Sequence, residues 1–237
     1  MVAGRTENSM SEMNVGGNRH FAGALVFLGA PGAGKGTQAR EVCNRLVVPH
    51  ISTGDILRAN VEKQTPLGLM AKSFMNRGEL VSDEVINDMV RDRLSQPDCQ
   101  GGFLLDGYPR TLAQAEALRA LLKEKRYGAP IVVNLRVGYN VIVKRLGGRR
   151  ICPVCQRTYN LNSQPPLRDG VCDADGSPLQ QRADDREEAI RERLLAYEAQ
   201  TAPLIEFYKK EGRFLDVDGE QSPEQISSEL ARLLEVQ

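Results

Sequence analysis

The chain has 237 residues, 41% of them hydrophobic and 26% charged, enough for one large domain with a sizeable buried core. Lys plus Arg equal Asp plus Glu at 31 each, so charge gives no case for nucleic acid or an anionic membrane as the main partner. No apolar stretch approaches the roughly 18–20 residues that a membrane helix needs.

Met1 to His20 are polar and contain no apolar h-region. Residues 1–22 therefore read as a flexible tail rather than a secretory signal. A cytoplasmic location is expected, where thiols stay reduced. The five cysteines are then metal ligands, catalytic groups or core filler rather than disulfides.

The first β-like apolar run is Ala24–Leu28, followed at once by Gly29-Ala30-Pro31-Gly32-Ala33-Gly34-Lys35-Gly36-Thr37. Glycines let the backbone curl until several N–H groups face an anion. Lys35 adds a full charge and the following helix its N-terminal partial charge. The pattern G-x-x-x-x-G-K runs from Gly29 to Lys35, but the expected magnesium-binding Ser or Thr is replaced by Gly36, with Thr37 one place on. A bare glycine turn is the plain alternative. The strand ahead of the motif and the spacing of Lys35 argue against it.

Pro49-His50-Ile51 is a weaker strand, and Ser52 to Val81 is helical in pattern with no strand of its own. Phe103–Leu105 is the next strand, closed by Asp106-Gly107-Tyr108-Pro109-Arg110. A carboxylate at Asp106, on the carboxyl edge of the sheet, is placed to hold magnesium directly or through water, with a turn cap as the alternative. Thr111 to Leu122 reads as a helix and Ile131–Leu135 as a strand. Near-continuous apolar runs suit strands buried on both faces of a parallel sheet.

Arg149 to about Asp185 is rich in Pro, Gly, Asp and Cys. Within it, Cys152-Pro153-Val154-Cys155 is C-x2-C and Cys172-Asp173-Ala174-Asp175 is C-x2-D. Two tight turns of two ligands each are a zinc-ribbon arrangement, and carboxylate oxygen can stand in for a thiolate. Cys152, Cys155, Cys172 and Asp175 are the expected structural site, with Asp173 as the competing carboxylate. A redox C-x-x-C is disfavoured because no βαβ unit surrounds it. Cys43 and Cys99 have no partners at useful spacing and read as packing residues.

A helix begins at Asp184-Asp185, with Glu187 and Glu188 opposing its dipole and Ile190, Leu194 and Tyr197 on one face. Phe214–Val217 is the last strand. Ser222, Pro223 and Gln225 then open a helix as N-cap, N1 and N3, with Ile226, Leu230, Leu233 and Leu234 on one face. The predicted fold class is α/β: a P-loop parallel sheet flanked by helices, with two inserted mobile subdomains. Arg58, Arg110, Arg145, Arg149, Arg182 and Arg193 fall at strand ends and at the hinges of the insertions. Several guanidinium groups beside a P-loop point to phosphate.

Gly29 to Thr37, Ile51 to Arg58, Phe103 to Arg110, Arg182 to Asp185 and Thr201 to Leu204 together resemble the adenylate kinases, over about residues 23–236 and in the form with a long, zinc-bearing lid. The Gly-Lys-Gly-Thr ending is itself a mark of nucleoside monophosphate kinases. The resemblance implies a core over 23–51, 82–148 and 187–237, an AMP-binding insertion over 52–81, and a zinc-binding lid over 149–186. It implies that Gly32, Ala33, Gly34, Lys35, Gly36 and Thr37 hold the donor phosphates of Mg-ATP. Arg145, Arg149, Thr158, Tyr159 and Gln221 would serve the same nucleotide. Thr53, Arg58, Glu79, Leu80 and Val81 would meet AMP, Gly107, Tyr108, Pro109 and Arg110 its phosphate, and Gln114 its adenine. Arg182 and Arg193 would close over the phosphates. Lys35, Asp106, Arg110, Arg145, Arg149, Arg182 and Arg193 would carry the transfer that turns ATP and AMP into two ADP.

Thr53 looks like the residue of relatives that accept AMP, where those preferring UMP or CMP tend to carry Ala. A monomer is expected, with no nucleic-acid or membrane partner. A P-loop switch without an acceptor would not need Arg58, Arg110 and Gln114. A zinc-ribbon binding module would need a basic or aromatic face, and Arg157, Arg168 and Tyr159 are too few to make one. A GTP-using donor site is the closest competitor within the kinases.

Overall fold

Alternate residues of the first strand enter two different cores. In the computed structural model, which describes residues 21–211 and 213–235, β1 (Ala24–Leu28) is buried along its whole length. Ala24, Val26 and Leu28 face one hydrophobic cluster and Leu25 and Phe27 the other. Strand side chains alternate with a period of two, so a run apolar at every position needs cover on both faces. β2 (His50–Ser52), β3 (Phe103–Asp106), β4 (Ile131–Arg136) and the terminal strand Phe214–Asp218 complete a five-stranded parallel sheet. Their spatial order is β2, β3, β1, β4 and the terminal strand. Successive parallel strands require crossovers, which helices supply on both faces.

Helix α1 (Lys35–Leu46) begins inside the glycine loop and ends on Val47, a β-branched residue at φ 56°. α2 (Thr53–Glu62) and α3 (Pro66–Arg77) form the first insertion as a helical hairpin. Their axes approach so closely at Gly68 that a Cβ there would lie 2.0 Å from the Asn60 carbonyl oxygen. Gly68→Ala should therefore force the hairpin apart and cost about 1–3 kcal/mol. Chemical denaturation reads this directly, and an unchanged midpoint would refute the close-packing argument.

α4 (Asp83–Leu94), α5 (Leu112–Glu124) and α6 (Tyr139–Gly147) follow. The second insertion contains the antiparallel pair β5 (Arg149–Ile151) and β6 (Thr158–Asn160), making the terminal sheet strand β7. The helix expected from Asp184 starts later. Ala183–Asp185 is a 3-10 turn, and α7 runs Glu187–Ala196. It widens at Tyr197–Thr201 into a π turn, where Ala202 N donates to Tyr197 O at 2.8 Å, before α8 (Pro203–Glu211). Pro203 has no N–H to continue a regular ladder, which explains the change of pitch. At α9 (Pro223–Glu235) the capping box forms in both directions: Gln225 N donates to Ser222 Oγ, and Ser222 N donates to Gln225 Oε1.

The expected tail lies outside the described residues except for Phe21 and Ala22. Phe21 packs on the cluster beneath α1 and α9. No helix among the described residues is long and apolar enough to cross a membrane.

Candidate active site

The carboxyl ends of β1, β2 and β3 open into a cleft of about 1010 Å³, bounded by both insertions. Pockets for a single small ligand typically run to about 300–1,000 Å³, so this cleft stands at the upper end of that range. At its floor the glycine loop takes left-handed φ values at Gly32 and Gly34, and a Cβ on Gly32 would lie 2.8 Å from Leu146 Cγ. Lys35 Nζ donates to the loop's own carbonyls, Gly29 O at 2.7 Å and Ala30 O at 3.0 Å. Burial pulls its pKa down to about 8, against the opposing pull of Asp106.

Asp106 ends β3 beside the loop. Burial alone would push its carboxyl up, but the hydrogen bond to His50 and the charge of Lys35 outweigh that and hold it below the ordinary range. His50 Nε2 lies 3.3 Å from Asp106 Oδ2. A Cβ at Gly36 would come within 3.4 Å of the same oxygen. Glycine there leaves an ionised carboxylate open to the cleft, which fits a hard divalent cation bound with phosphate.

The loop after β3 is built around Gly107, at φ 76°. Its carbonyl accepts from Thr53 Oγ1 at 2.8 Å and from Arg110 Nε at 2.8 Å. A Cβ there would sit 2.9 Å from Arg110 Nη2. Thr201 Oγ1 donates to Arg110 O at 2.8 Å, so the π turn anchors this arginine from behind. Burial and neighbouring Arg193 pull Arg110 down to about 10. Burial, Arg58 and Arg149 pull Arg182 down to about 9. Such values mean that cations are crowded together out of water. An anion among them would relieve the repulsion. Arg182 Nε is also buried without a hydrogen-bond partner, a donor waiting for an acceptor.

Asp185, 1% exposed, organises the opposite wall. Arg149 grips it with two nitrogens, Nε at 2.6 Å from Oδ2, and Arg193 Nη1 donates to Oδ1 at 2.9 Å. Arg145 Nη1 donates to Gly219 O at 2.8 Å. Arg58 is paired with Asp55.

Of the residues expected at the two nucleotides, all border this cleft except Tyr108. The Tyr108 ring is 1% exposed and its hydroxyl donates to Asn87 Oδ1 at 2.7 Å, on the core side of the loop. Tyr159 borders the cleft, but its hydroxyl turns away to accept from Asp173 N at 2.8 Å, with Cys172 Sγ at 3.4 Å. Gln221 Nε2 donates to Glu229 Oε2 at 3.3 Å. His50, Asp185 and Thr201 were not legible as site residues. Their signal, a polar side chain in or next to a motif stretch, does not say which neighbour it will hold.

In the second insertion, Cys152, Cys155, Cys172 and Asp175 place their ligand atoms within 4.8 Å of one another. Cys155 Sγ to Cys172 Sγ is 3.5 Å, and Cys152 Sγ to Asp175 Oδ2 is 3.2 Å. Ligands on a tetrahedral ion at about 2.0–2.3 Å would stand about 3.3–3.8 Å apart, so the set lies close to four-coordinate spacing. The two turns are built alike. Cys152 N donates to Arg157 O and Cys172 N to Ser177 O, both at 2.9 Å. The fifth residue of each is left-handed, Gln156 at φ 60° and Gly176 at φ 73°. Asp173 is engaged elsewhere, its Oδ1 accepting from Leu167 N at 2.8 Å, which leaves Asp175 as the carboxylate. Cys43 and Cys99 are buried and are not part of this set.

Residues 27–213 match the family model described as adenylate kinase. The chain is 49% identical over 210 residues to the adenylate kinase of Clostridium perfringens strain SM101, covering 89% of this chain and 97% of that one. It is 50% identical over 212 residues to the adenylate kinase of Bacillus subtilis strain 168, with the same coverages. Against the adenylate kinase of Methanocella arvoryzae, identity is 51% over 206 residues, covering 87% and 95%.

Proposed function

The chain belongs to the adenylate kinase family, and from that premise we propose that its cleft holds Mg-ATP on the glycine loop and AMP between α2 and the loop Gly107–Arg110. The observation that carries this reading is the convergence of Lys35, Arg58, Arg110, Arg149, Arg182 and Arg193 on one cavity beside the glycine loop. A donor alone would not need arginines on its far wall.

Gly32 to Thr37 would cradle the donor phosphates with backbone N–H groups, and Arg145, Arg149, Thr158 and Gln221 would complete that side. Thr53, Arg58 and the backbone from Glu79 to Val81 would face AMP, with Arg110 on its phosphate and Gln114 on its base. Asp106 would hold magnesium directly or through water. Bound there with ATP, magnesium would neutralise charge on the phosphate oxygens. An oxygen of the AMP phosphate attacks the γ-phosphorus in line, forming one O–P bond as the bond to the departing ADP breaks. Lys35, Arg110, Arg182 and Arg193 meet the charge on the transferred group. The two insertions, 52–81 and 149–186, act as covers that exclude competing water and reopen to release ADP. Zinc is the metal proposed for Cys152, Cys155, Cys172 and Asp175, in a stabilising role within the lid.

A coupled assay across donor and acceptor panels tests the reading. ATP with AMP should give ADP stoichiometrically. Release of inorganic phosphate with no need for an acceptor would reject it.

Lys35 adds a pH signature. Free, its pKa lies near 8; bound phosphate favours its charged form and raises that value. Nucleotide binding therefore takes up a proton between the free and bound pKa. ATP affinity should be level below about pH 7 and fall by up to about tenfold per pH unit above pH 8. Calorimetric titration from pH 6.5 to 9.5 measures it. Lys35→Arg, which stays charged, should flatten the fall, and a wild-type affinity flat to pH 9.5 would contradict the shifted lysine.

A further inference from the structure

Gln114 is a side chain in the cleft whose two polar atoms are told apart by their partners. Its Oε1 accepts from the backbone N–H of Arg110 at 2.8 Å, a group that can only donate. Its Nε2 donates to Asp83 Oδ1 at 2.7 Å, a carboxylate that, ionised, can only accept. Asp83, the first residue of α4, is held in turn: Thr111 Oγ1 donates to its other oxygen at 2.8 Å. Thr111 is also the N-cap of α5, accepting from Gln114 N at 3.1 Å. Gln114 is 2% exposed, so its amide has little room to reorient. An amide offers two N–H donors and two carbonyl lone pairs. One of each is spent, and one of each is left, side by side, on a residue that borders the cleft.

We infer that Asp83 is a positioning residue that locks the Gln114 amide in one orientation, so that the acceptor pocket selects adenine over bases whose edge has the reverse polarity. The inference rests on the reading that Gln114 faces the base of AMP. Adenine presents an acceptor, N1, next to a donor, its 6-amino group, which matches the remaining N–H and lone pair. Hypoxanthine, guanine and uracil present a ring N–H next to a carbonyl. Against the locked amide, each would set donor on donor and acceptor on acceptor. Flipping the amide to suit them would aim Nε2 at the Arg110 N–H and Oε1 at the Asp83 carboxylate, two repulsive contacts in a buried site. Cytosine shares the polarity of adenine and is not rejected by this device. Asp83 touches the amide and not the base, so its effect on selection passes entirely through Gln114.

The test compares kcat/KM for AMP and for inosine monophosphate, acceptors that differ only at the edge in question, with ATP as donor. Asp83→Ala should lower the AMP-to-inosine-monophosphate ratio about tenfold to a hundredfold, through acceptor KM, with KM for ATP unchanged. Asp83→Asn keeps a carbonyl that accepts from Nε2 and should hold the ratio within about threefold of wild type. Should Asp83→Ala fail to fold, Asp83→Ser, too short to reach Nε2, carries the same expectation. A folded Asp83→Ala or Asp83→Ser with the wild-type ratio overturns the inference, as does a loss in Asp83→Asn equal to that in Asp83→Ala. Gln114→Ala separates the two levels. A ratio unchanged there removes Gln114 from the base, whereas a ratio lost there but kept in Asp83→Ala removes only the lock.

Discussion

Alanine at Lys35 or Arg110 should cut turnover by about a thousandfold or more, while the melting temperature stays within a few degrees of wild type. The two halves of that result have one cause. Both side chains are cations taken out of water, pulled down to about 8 and about 10 by burial and, for Arg110, by Arg193. In the empty cleft such charges weaken the fold more than they support it, so deleting one relieves repulsion and offsets the lost contacts to Gly29 O or Gly107 O. On the proposed reading, the same charges face the transferring phosphoryl group in the transition state, in a site closed to water. One such cation is worth about 10³–10⁵ in rate in comparable phosphoryl transfers. Steady-state turnover with ATP and AMP, together with thermal unfolding of each variant, reads both halves. Near-normal turnover in either folded variant would remove that residue from the transfer.

With zinc bound as proposed at Cys152, Cys155, Cys172 and Asp175, losing the metal should melt the second insertion ahead of the core. The segment from Arg149 to Gln181 has two short strands, isolated bridges and a core cluster made only of Cys152, Tyr159 and Cys172 with Leu179 against it. That is too little apolar surface to hold roughly thirty residues by itself. Cys172→Ser or chelation should cost about 3–5 kcal/mol. At about 2–4 °C per kcal/mol for a chain of this size, that lowers the first melting transition by about 10 °C. Turnover should fall as well, because Arg149 at the lid's entry and Arg182 at its exit lose their support. Asp175→Ala, on an exposed oxygen ligand, should cost less than Cys172→Ser, on a buried thiolate. Calorimetry with metal analysis on one sample tests this. Unchanged melting after complete metal removal would assign the cluster no stabilising role.

β1, β3 and β4 were legible because each is apolar at consecutive positions, and such a run has few homes other than a doubly covered parallel sheet. The cap of α9 was legible because Ser222, Pro223 and Gln225 interact locally, within one turn. The break after Ala196 was not. Helical periodicity runs through Tyr197, and although Pro203 interrupts the ladder, only the tertiary bond from Thr201 Oγ1 to Arg110 O shows what the π turn positions. Tyr108 was misleading for a similar reason. Its neighbours Gly107 and Arg110 face the cleft, but the backbone turns between them and buries the ring.

The amino-acid sequence by itself determined the chemistry on offer: a glycine loop with a lysine, arginines at strand ends, and a three-thiolate, one-carboxylate set at ribbon spacing. These follow from residue type and short spacing, which sequence records directly. The tertiary structure alone decided which charges are spent and which remain available. Asp185 engages Arg149 and Arg193 across a chain separation of 36 residues on one side. His50 reaches Asp106 across 56, and Asp83 orients Gln114 across 31. The strength of a buried charge or hydrogen bond depends on what lies within about 4 Å and on the exclusion of water, and neither is a property of distance along the chain.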